Sequence, residues 1–433
     1  MKFKIIDKAS ALNGNIVIPG DKSISHRSVM LAGLSSTPVT VKNFLHADDC
    51  MSTVSCMSAL GVKVEQKAAD ELVITGNGLF GLKEPLDILN AGNSGTTMRL
   101  LAGILGAQPF FSVMTGDQSL CTRPMGRVIK PLSQMGVSIL GRGNNQYAPL
   151  AIAPANQIRG IKYTTPVASA QLKSALLLAG LFADGATVIT EPHRSRDHTE
   201  KILAAFGVPI SVSGTVITLE PVRELKAPES LIVPGDISSA AFWLVAASII
   251  PDSKLILHNV GMNPTRTGVI DVLKRMGANI QVTNESFAGK EPIADIIVSS
   301  AQLNGIDIEP ELIPSLVDEI PVLTVAALFA KGRTIIRGAA ELRVKETDRL
   351  TAISTELTKM GAHINETHDG LIITPEGDLK FATCCSYHDH RMAMALAIAG
   401  AAAQGVEIES PDCVTISYPN FYNVLAKLSS VQS

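Results

Sequence analysis

Lys22, Arg27, Arg99, Arg123, Arg196, Lys345, Arg349 and Arg391 all stand at or just after stretches that read as the starts of helices. A helix N-terminus carries about half a positive charge and unpaired N–H donors, so a cation there is unfavourable by roughly 0.3–1 kcal/mol. A set of cations repeated in that place therefore points to anionic ligands that bind at those ends. Single members have plainer readings. Arg99 could be a paired structural ion, and Thr199, Asp236 and Thr347 read as ordinary N-caps. Two carboxylates, Asp318 and Glu346, stand among the cations. Glu346 could merely pair with Arg349 three residues on, a contact worth a few tenths of a kcal/mol on an exposed helix. The alternative is acid–base chemistry on a bound pair of anions. One carboxylate takes a hydroxyl proton, another acid protonates a carbon, and the cations stabilise the charge that develops. Lys22, Lys345 and His390 are further proton carriers.

Other chemistries fit less well. Gly20-Asp21-Lys22-Ser23 resembles part of a phosphate loop, but the spacing of Gly, four residues and Gly-Lys-Ser/Thr is missing, which argues against an ATP site of that kind. Cys384-Cys385-Ser386-Tyr387-His388-Asp389-His390 lacks a second spaced ligand pair, so neither metal nor cofactor is expected. Cys121 near Arg123 could be a nucleophile, although buried inert thiols are commoner. Six cysteines in 433 residues do not read as a disulfide framework. With 37 basic and 40 acidic residues and few aromatics (one Trp, five Tyr, twelve Phe), the chain does not resemble a nucleic-acid binder. No apolar run reaches the ~18 residues of a membrane span. The opening Met1-Lys2-Phe3-Lys4-Ile5-Ile6-Asp7 lacks the apolar core of a secretory leader, so the cytoplasm is expected.

The elements that must position these groups repeat. A small-residue helix signature, Leu/Val/Ile-Ala-Gly/Ala, centres on Ala32, Ala102, Ala179, Ala246, Ala326 and Ala399, giving a unit of roughly 73 residues used six times. In step with it, a helical pattern ends in a glycine followed by alternating apolar residues at Gly61, Gly136, Gly207, Gly277 and Gly361, as a C′ glycine leading into a strand would. Each unit reads as strand, buried helix, strand, surface helix and hairpin, a βαβαββ unit of an α/β fold. Ile18-Pro19-Gly20-Asp21 recurs as Val233-Pro234-Gly235-Asp236, which predicts two domains of three units. These are 21–228, inserted, and 1–20 with 229–433, discontinuous, with the active site in the cleft between them. The strand Lys2 to Asp7 is expected to complete the last unit.

Four segments carry a resemblance: Gly20-Asp21-Lys22-Ser23-Ile24-Ser25-His26-Arg27, Asn93-Ser94-Gly95-Thr96-Thr97-Met98-Arg99, Arg343-Val344-Lys345-Glu346-Thr347-Asp348-Arg349-Leu350 and Asp389-His390-Arg391-Met392-Ala393. In this order they resemble the 3-phosphoshikimate 1-carboxyvinyltransferase (EPSP synthase) family, the target family of glyphosate. The resemblance implies a two-domain inverse α/β barrel that acts as a monomer on two small molecules, without nucleic acid, membrane, metal or cofactor. It implies transfer of the enolpyruvyl group of phosphoenolpyruvate to the 5-hydroxyl of shikimate 3-phosphate, with release of phosphate through a tetrahedral intermediate. It implies catalytic roles for Asp318, Glu346 and Lys22, with Lys22 and Glu346 as rivals for protonating the methylene carbon. Shikimate 3-phosphate would meet Lys22, Ser23, Arg27, Ser169, Ala170, Gln171, Arg196, Asp318 and Lys345. Phosphoenolpyruvate would meet Lys22, Asn93, Gly95, Arg123, Gln171, Arg349 and Arg391. Two departures place the chain nearer the family's second, class II-like branch: Ala170 replaces a serine, and Ile416 stands where a lysine is usual. The rival readings are a UDP-N-acetylglucosamine enolpyruvyl transferase of the same fold, and a non-enzymatic scaffold for anions or RNA ends. The first uses a different Lys-Asn motif and a loop cysteine, and the second has no need of Asp318 and Glu346.

Overall fold

The computed structural model describes residues 2–430. The chain forms two compact units: one holds the residues up to Pro19, Gly235–Ser286 and those from Pro292 on, and the other holds Gly20–Pro234 with Phe287–Glu291. The second crossover was expected at 228–229 and falls later, before Gly235. The physical reason is the short strand Ser230–Ile232, which runs parallel to Val39–Lys42 and so belongs to the sheet of the inserted unit.

In the inserted unit the helices Lys22–Gly33, Gly95–Leu105 and Ala170–Gly180 occupy the interior. Their sequences are apolar nearly all round because other helices and the inner faces of sheets cover them. From Ile24 to Gly33 every residue is buried. Gly103 shows how closely the second and third helices approach: a Cβ on it would lie 2.2 Å from the Ala175 carbonyl oxygen, so only glycine fits there. Each sheet has one order: an edge strand parallel to its neighbour, then an antiparallel hairpin. In the first sheet Ser230–Ile232 lies beside Val39–Lys42, then Glu71–Thr75, then Lys63–Ala68. Val39, Val41, Leu72 and Ile74 point inward on alternate positions, as a strand with one covered face requires.

The other unit repeats the plan around Ile237–Ile249, Ile320–Leu328 and His390–Ala402. Its third sheet has Thr383–Cys385 parallel to Val406–Glu409, and Phe3–Ile6 pairs antiparallel on the other side with Phe3 opposite Glu409. The N-terminal strand therefore does complete the last repeat. The last helix, Phe421–Ser430, is held by aromatic packing: the Phe421 ring stacks on Trp243 at 5.0 Å, and Trp243 Nε1 donates to the Tyr418 hydroxyl at 3.1 Å. Ile416 packs against this unit's apolar core.

The sequence landmarks hold in detail. Gly61, Gly136, Gly207, Gly277 and Gly361 all have φ between 77° and 99°, the left-handed conformation that ends a helix. The polar residues before the buried helices are caps. Asp21, Ser94, Ser169, Asp236 and Asp389 each accept a backbone N–H of the first turn. The expected caps Thr199 and Thr347 are not caps. Thr199 lies inside the helix His198–Ala205, and Asp348 caps Arg349–Lys359 by accepting from Thr351 N at 3.2 Å. No helix among the described residues is long and apolar enough to cross a membrane.

Candidate active site

In the inserted unit the starts of the three buried helices bring most of the predicted residues together. Lys22 opens the first of these helices, and its ammonium lies 3.0 Å from Asp49 on the helix Asp48–Ala59. Arg27 lies one turn further on, 4% exposed. Its Nε donates to Thr199 Oγ1 at 2.6 Å, one terminal nitrogen to the Ser23 carbonyl at 2.8 Å and the other to Ser174 Oγ at 2.8 Å. Ser174 in turn donates to the Ala170 carbonyl at 2.6 Å. The guanidinium thus ties Ser23 to the Ser169–Ala170 turn, where Ser169 is the cap. Gln171 follows. Its oxygen accepts from Arg99 at 2.5 Å and its amide nitrogen donates to Thr96 Oγ1 at 3.0 Å. Arg99 is held by neutral acceptors, Gln171 and the Pro124 carbonyl at 3.2 Å. Arg196 is partly exposed on the loop before His198–Ala205.

A second group surrounds Gly95. Arg123 donates to the Asn93 side-chain oxygen at 2.6 Å, the Asn93 carbonyl at 3.1 Å and Ser119 Oγ at 3.0 Å, while Asn93 Nδ2 donates to Asp117 at 2.7 Å. Asn93 therefore orients Arg123. A Cβ on Gly95 would stand 2.9 Å from an Arg99 nitrogen and 3.7 Å from an Arg123 nitrogen, so the bare glycine keeps the space beside two guanidinium groups clear at the helix start. That is an anion cradle by charge and by geometry.

Between these groups runs a buried hydrogen-bond chain. His26 Nδ1 lies 2.7 Å from Thr53 Oγ1, Thr53 lies 2.7 Å from Thr97 Oγ1, and Thr97 donates to the cap Ser94 at 2.8 Å. Burial, and then the charges of Lys22 and Arg27, hold the His26 pKa well below 6.5, so the ring is neutral in the folded protein. Unfolding releases it to protonate normally. This contribution to stability is therefore complete above the unfolded pKa near 6.5 and is lost as pH falls from there toward the folded value. Chemical denaturation at pH 7.5 and 5.5 is expected to show that His26→Asn removes about 1.4 kcal/mol of the stability difference between those two pH values. An unchanged difference would mean that the ring already titrates normally.

In the other unit Asp318 lies within a cationic shell. Arg349 approaches one of its oxygens at 3.2 Å and Lys345 at 3.6 Å, and Arg391 is 3.9 Å from the other. Arg391 also donates to the Asp318 carbonyl at 3.2 Å. Arg349, 1% exposed, holds two further carboxylates: Glu346 at 2.7 Å, and Asp389 at 2.8 Å through Nε. Burial works against the charge of Arg349, but Asp389, Glu346 and Asp318 outweigh it and raise its pKa, so the guanidinium is charged at every accessible pH. Asp318 and Glu346, the two candidate acid–base groups, are thereby oriented by one cation. The expected Glu346–Arg349 pair exists, but as part of a buried cluster rather than on an exposed helix.

The sequence reading missed Asp389 as an anchor and saw it only as part of a motif. Asp389 caps His390–Ala402 by accepting from Arg391 N at 2.9 Å, so a single carboxylate places both Arg349 and Arg391. The reading also missed Glu319, which accepts from Ser238 and lies 3.7 Å from Arg391. In the Cys/His segment burial pushes Cys384 up to about 12, as it does Cys413 elsewhere in the same unit, and Cys385 is half-buried. Among the described residues, the His, Cys, Asp and Glu side chains close enough to share an ion are Asp197, His198 and Glu291. There His198 already takes Glu291 at 2.8 Å and Lys201 stands 3.5 Å from the same carboxylate. A resident metal would have to displace these contacts.

Comparison with known proteins shows the family of the chain. The family model described as EPSP synthase (3-phosphoshikimate 1-carboxyvinyltransferase) matches residues 6–425. The chain is 54% identical over 424 residues to the 3-phosphoshikimate 1-carboxyvinyltransferase of Desulforudis audaxviator, covering 98% of each. It is 52% identical over 431 residues to that of Bacillus cereus strain G9842, covering 99% of this chain and 100% of the relative. Among solved structures, an EPSP synthase from Acinetobacter baumannii superposes with a TM-score of 0.87 at 43% identity over 98% of both chains. The enolpyruvyl transferase NikO from Streptomyces tendae gives 0.79 at 16% identity, covering 98% of this chain and 96% of that one, a likeness of fold.

Proposed function

We propose, for a chain that belongs to the EPSP synthase family and so transfers the enolpyruvyl group of phosphoenolpyruvate to shikimate 3-phosphate in the shikimate pathway, a division of labour between two sets of side chains. The observation that carries it is the cluster in which Arg349 holds Asp318 and Glu346 together while Lys345 and Arg391 complete the shell around Asp318. An anion-binding scaffold has no use for carboxylates in such a setting, whereas proton transfer does.

On this reading shikimate 3-phosphate binds Lys22, Ser23, Arg27, Ser169, Gln171 and Arg196, with Ala170 contributing backbone, and also Asp318 and Lys345. Phosphoenolpyruvate takes the cradle of Asn93, Gly95 and Arg123, with Lys22, Gln171, Arg349 and Arg391. When its anionic oxygens reach Arg349 they compete with the protein's own carboxylates for the guanidinium. A carboxylate released from a cation becomes a stronger base. Asp318 then accepts the proton of the 5-hydroxyl as that oxygen attacks the phosphate-bearing C2 of phosphoenolpyruvate, and Glu346, with Lys22 as its rival, delivers a proton to the methylene carbon. The tetrahedral intermediate collapses when phosphate leaves, and the proton added at carbon is lost again. The cations hold the developing charge throughout, and no step calls for a metal or cofactor. We infer a cytoplasmic monomer, supported for the compartment by six free cysteines.

The test is release of phosphate from phosphoenolpyruvate. Turnover is expected with shikimate 3-phosphate and not with UDP-N-acetylglucosamine. Arg196→Ala should raise KM for shikimate 3-phosphate, and Arg123→Ala KM for phosphoenolpyruvate, each by about tenfold or more, as loss of a charge-assisted contact of about 1.5–3 kcal/mol implies. The reverse pattern would overturn the division between the two ligands.

A further inference from the structure

Within the helix Ala170–Gly180 the charged residue is Lys173, which is 1% exposed. Its ammonium lies 2.8 Å from Glu191 and 2.7 Å from Glu200, and both of those residues are buried as well. It also lies 3.4 Å from the Ser195 carbonyl oxygen. Glu191 accepts from Ser195 Oγ at 2.5 Å and from Ser195 N at 3.3 Å. All three polar groups of Ser195 therefore end on one buried ion cluster, and the next residue is Arg196. On the other side, Glu200 follows Thr199 in the helix His198–Ala205, and Thr199 Oγ1 accepts from Arg27 at 2.6 Å and lies 2.6 Å from Ser174 Oγ. One ammonium thus joins three segments: the helix that carries Gln171, the loop that carries Arg196, and the helix whose Thr199 accepts from Arg27. Gln171, Arg196 and Arg27 are assigned above to the phosphorylated substrate.

Stability alone gives poor reason for such a cluster. An ammonium and two carboxylates taken out of water are costly, and an apolar trio of similar volume packs at least as well. Burial, opposed by Lys173, pushes the Glu200 carboxyl upward, a sign that desolvation weighs heavily here. What an ion cluster provides and a greasy contact does not is a fixed direction for each partner.

We infer that Lys173, Glu191 and Glu200 are positioning residues that set the Arg196 loop and the Thr199–Arg27 contact, and thereby the affinity for the phosphorylated acceptor. The inference rests on the assignment of Arg27 and Arg196 to shikimate 3-phosphate. None of the three residues needs to touch the substrate. A displacement of about 1 Å at a charge-assisted contact is enough to change binding or rate by as much as 10²-fold.

The test uses the full-length protein and steady-state kinetics in both substrates, together with thermal unfolding. Glu191→Gln is expected to raise KM for shikimate 3-phosphate about tenfold and to leave KM for phosphoenolpyruvate and kcat within about twofold. The uncharged triple variant Lys173→Met, Glu191→Gln, Glu200→Gln should melt at or above the wild-type temperature and show the same raised KM. A merely structural cluster would instead lower the melting temperature and move both KM values together, which would overturn the inference. Arg196→Ala and Arg27→Ala separate the two layers of the argument. If they raise KM for shikimate 3-phosphate and Glu191→Gln does not, the positioning role alone is wrong. If they too leave it unchanged, the substrate assignment fails and the inference falls with it.

Discussion

Replacing Asp318 by Asn is expected to lower kcat by about 10²–10⁴-fold, the range lost when a positioned general base is removed. Asn keeps the shape of the side chain and can still accept a hydrogen bond from Arg349 or Lys345, so shikimate 3-phosphate should bind with its affinity changed by far less than kcat. Calorimetric titration of the variant with shikimate 3-phosphate, beside initial rates of phosphate release, separates the two effects. A variant that binds and still turns over at the wild-type rate would remove Asp318 from the chemistry and leave it as the counter-ion of Arg349, Lys345 and Arg391. The pairing itself explains why the effect should be large. A carboxylate beside three cations is a weak base until something draws those cations away, and an arriving trianionic or dianionic substrate does that.

The second large effect concerns Arg349. Arg349→Lys is expected to cost about 3–5 kcal/mol of stability, as removal of one partner from a buried ion cluster does. One ammonium replaces a planar fork that now reaches Asp389, Glu346 and Asp318, and its three protons cannot span the same positions. At least one carboxylate is left without its counter-ion, and Asp389, whose side chain is fully shielded, suffers most. Urea unfolding of the two proteins at pH 7.5 measures the difference. A loss below about 1 kcal/mol would place this cluster with exposed pairs, which contribute about that much or less. Activity should fall as well, since Lys cannot orient Asp318 and Glu346 at once.

The architecture was legible because it is written in local signals that recur. An apolar helix rich in alanine, a glycine past a helix end and an acid or serine before a helix start each depend on neighbours a few residues away, and six copies average out the noise in any one of them. Asp236 was readable as a cap for this reason. Thr347 against Asp348 was not, since two adjacent polar residues offer the same signal and only the backbone angle decides. The candidate site was legible as a set of residue types, with the assignment of partners beyond reach. Arg349 meets Asp318 and Asp389, and Arg27 meets Thr199, across dozens to well over a hundred residues of chain. Lys173 carried a signal that sequence reading passed over: a charged residue in a buried helix has to find opposite charge in the core.

The strand Phe3–Ile6 pairs with Val406–Glu409. This strand must therefore wait for a partner from the far end of the repeat array before its hydrogen bonds can close. The inserted unit, drawn almost wholly from the continuous stretch Gly20–Pro234, is complete in the growing polypeptide before Val406–Glu409 is made, and domains generally fold as units. Once folded it brings Pro19 and Gly235 close together, as the hydrogen bond from Asp236 N to the Pro19 carbonyl at 2.8 Å requires, and so shortens the loop that the early strand must span. The inserted unit is thus a scaffold on which two strands far apart in the chain, Phe3–Ile6 and Val406–Glu409, can meet.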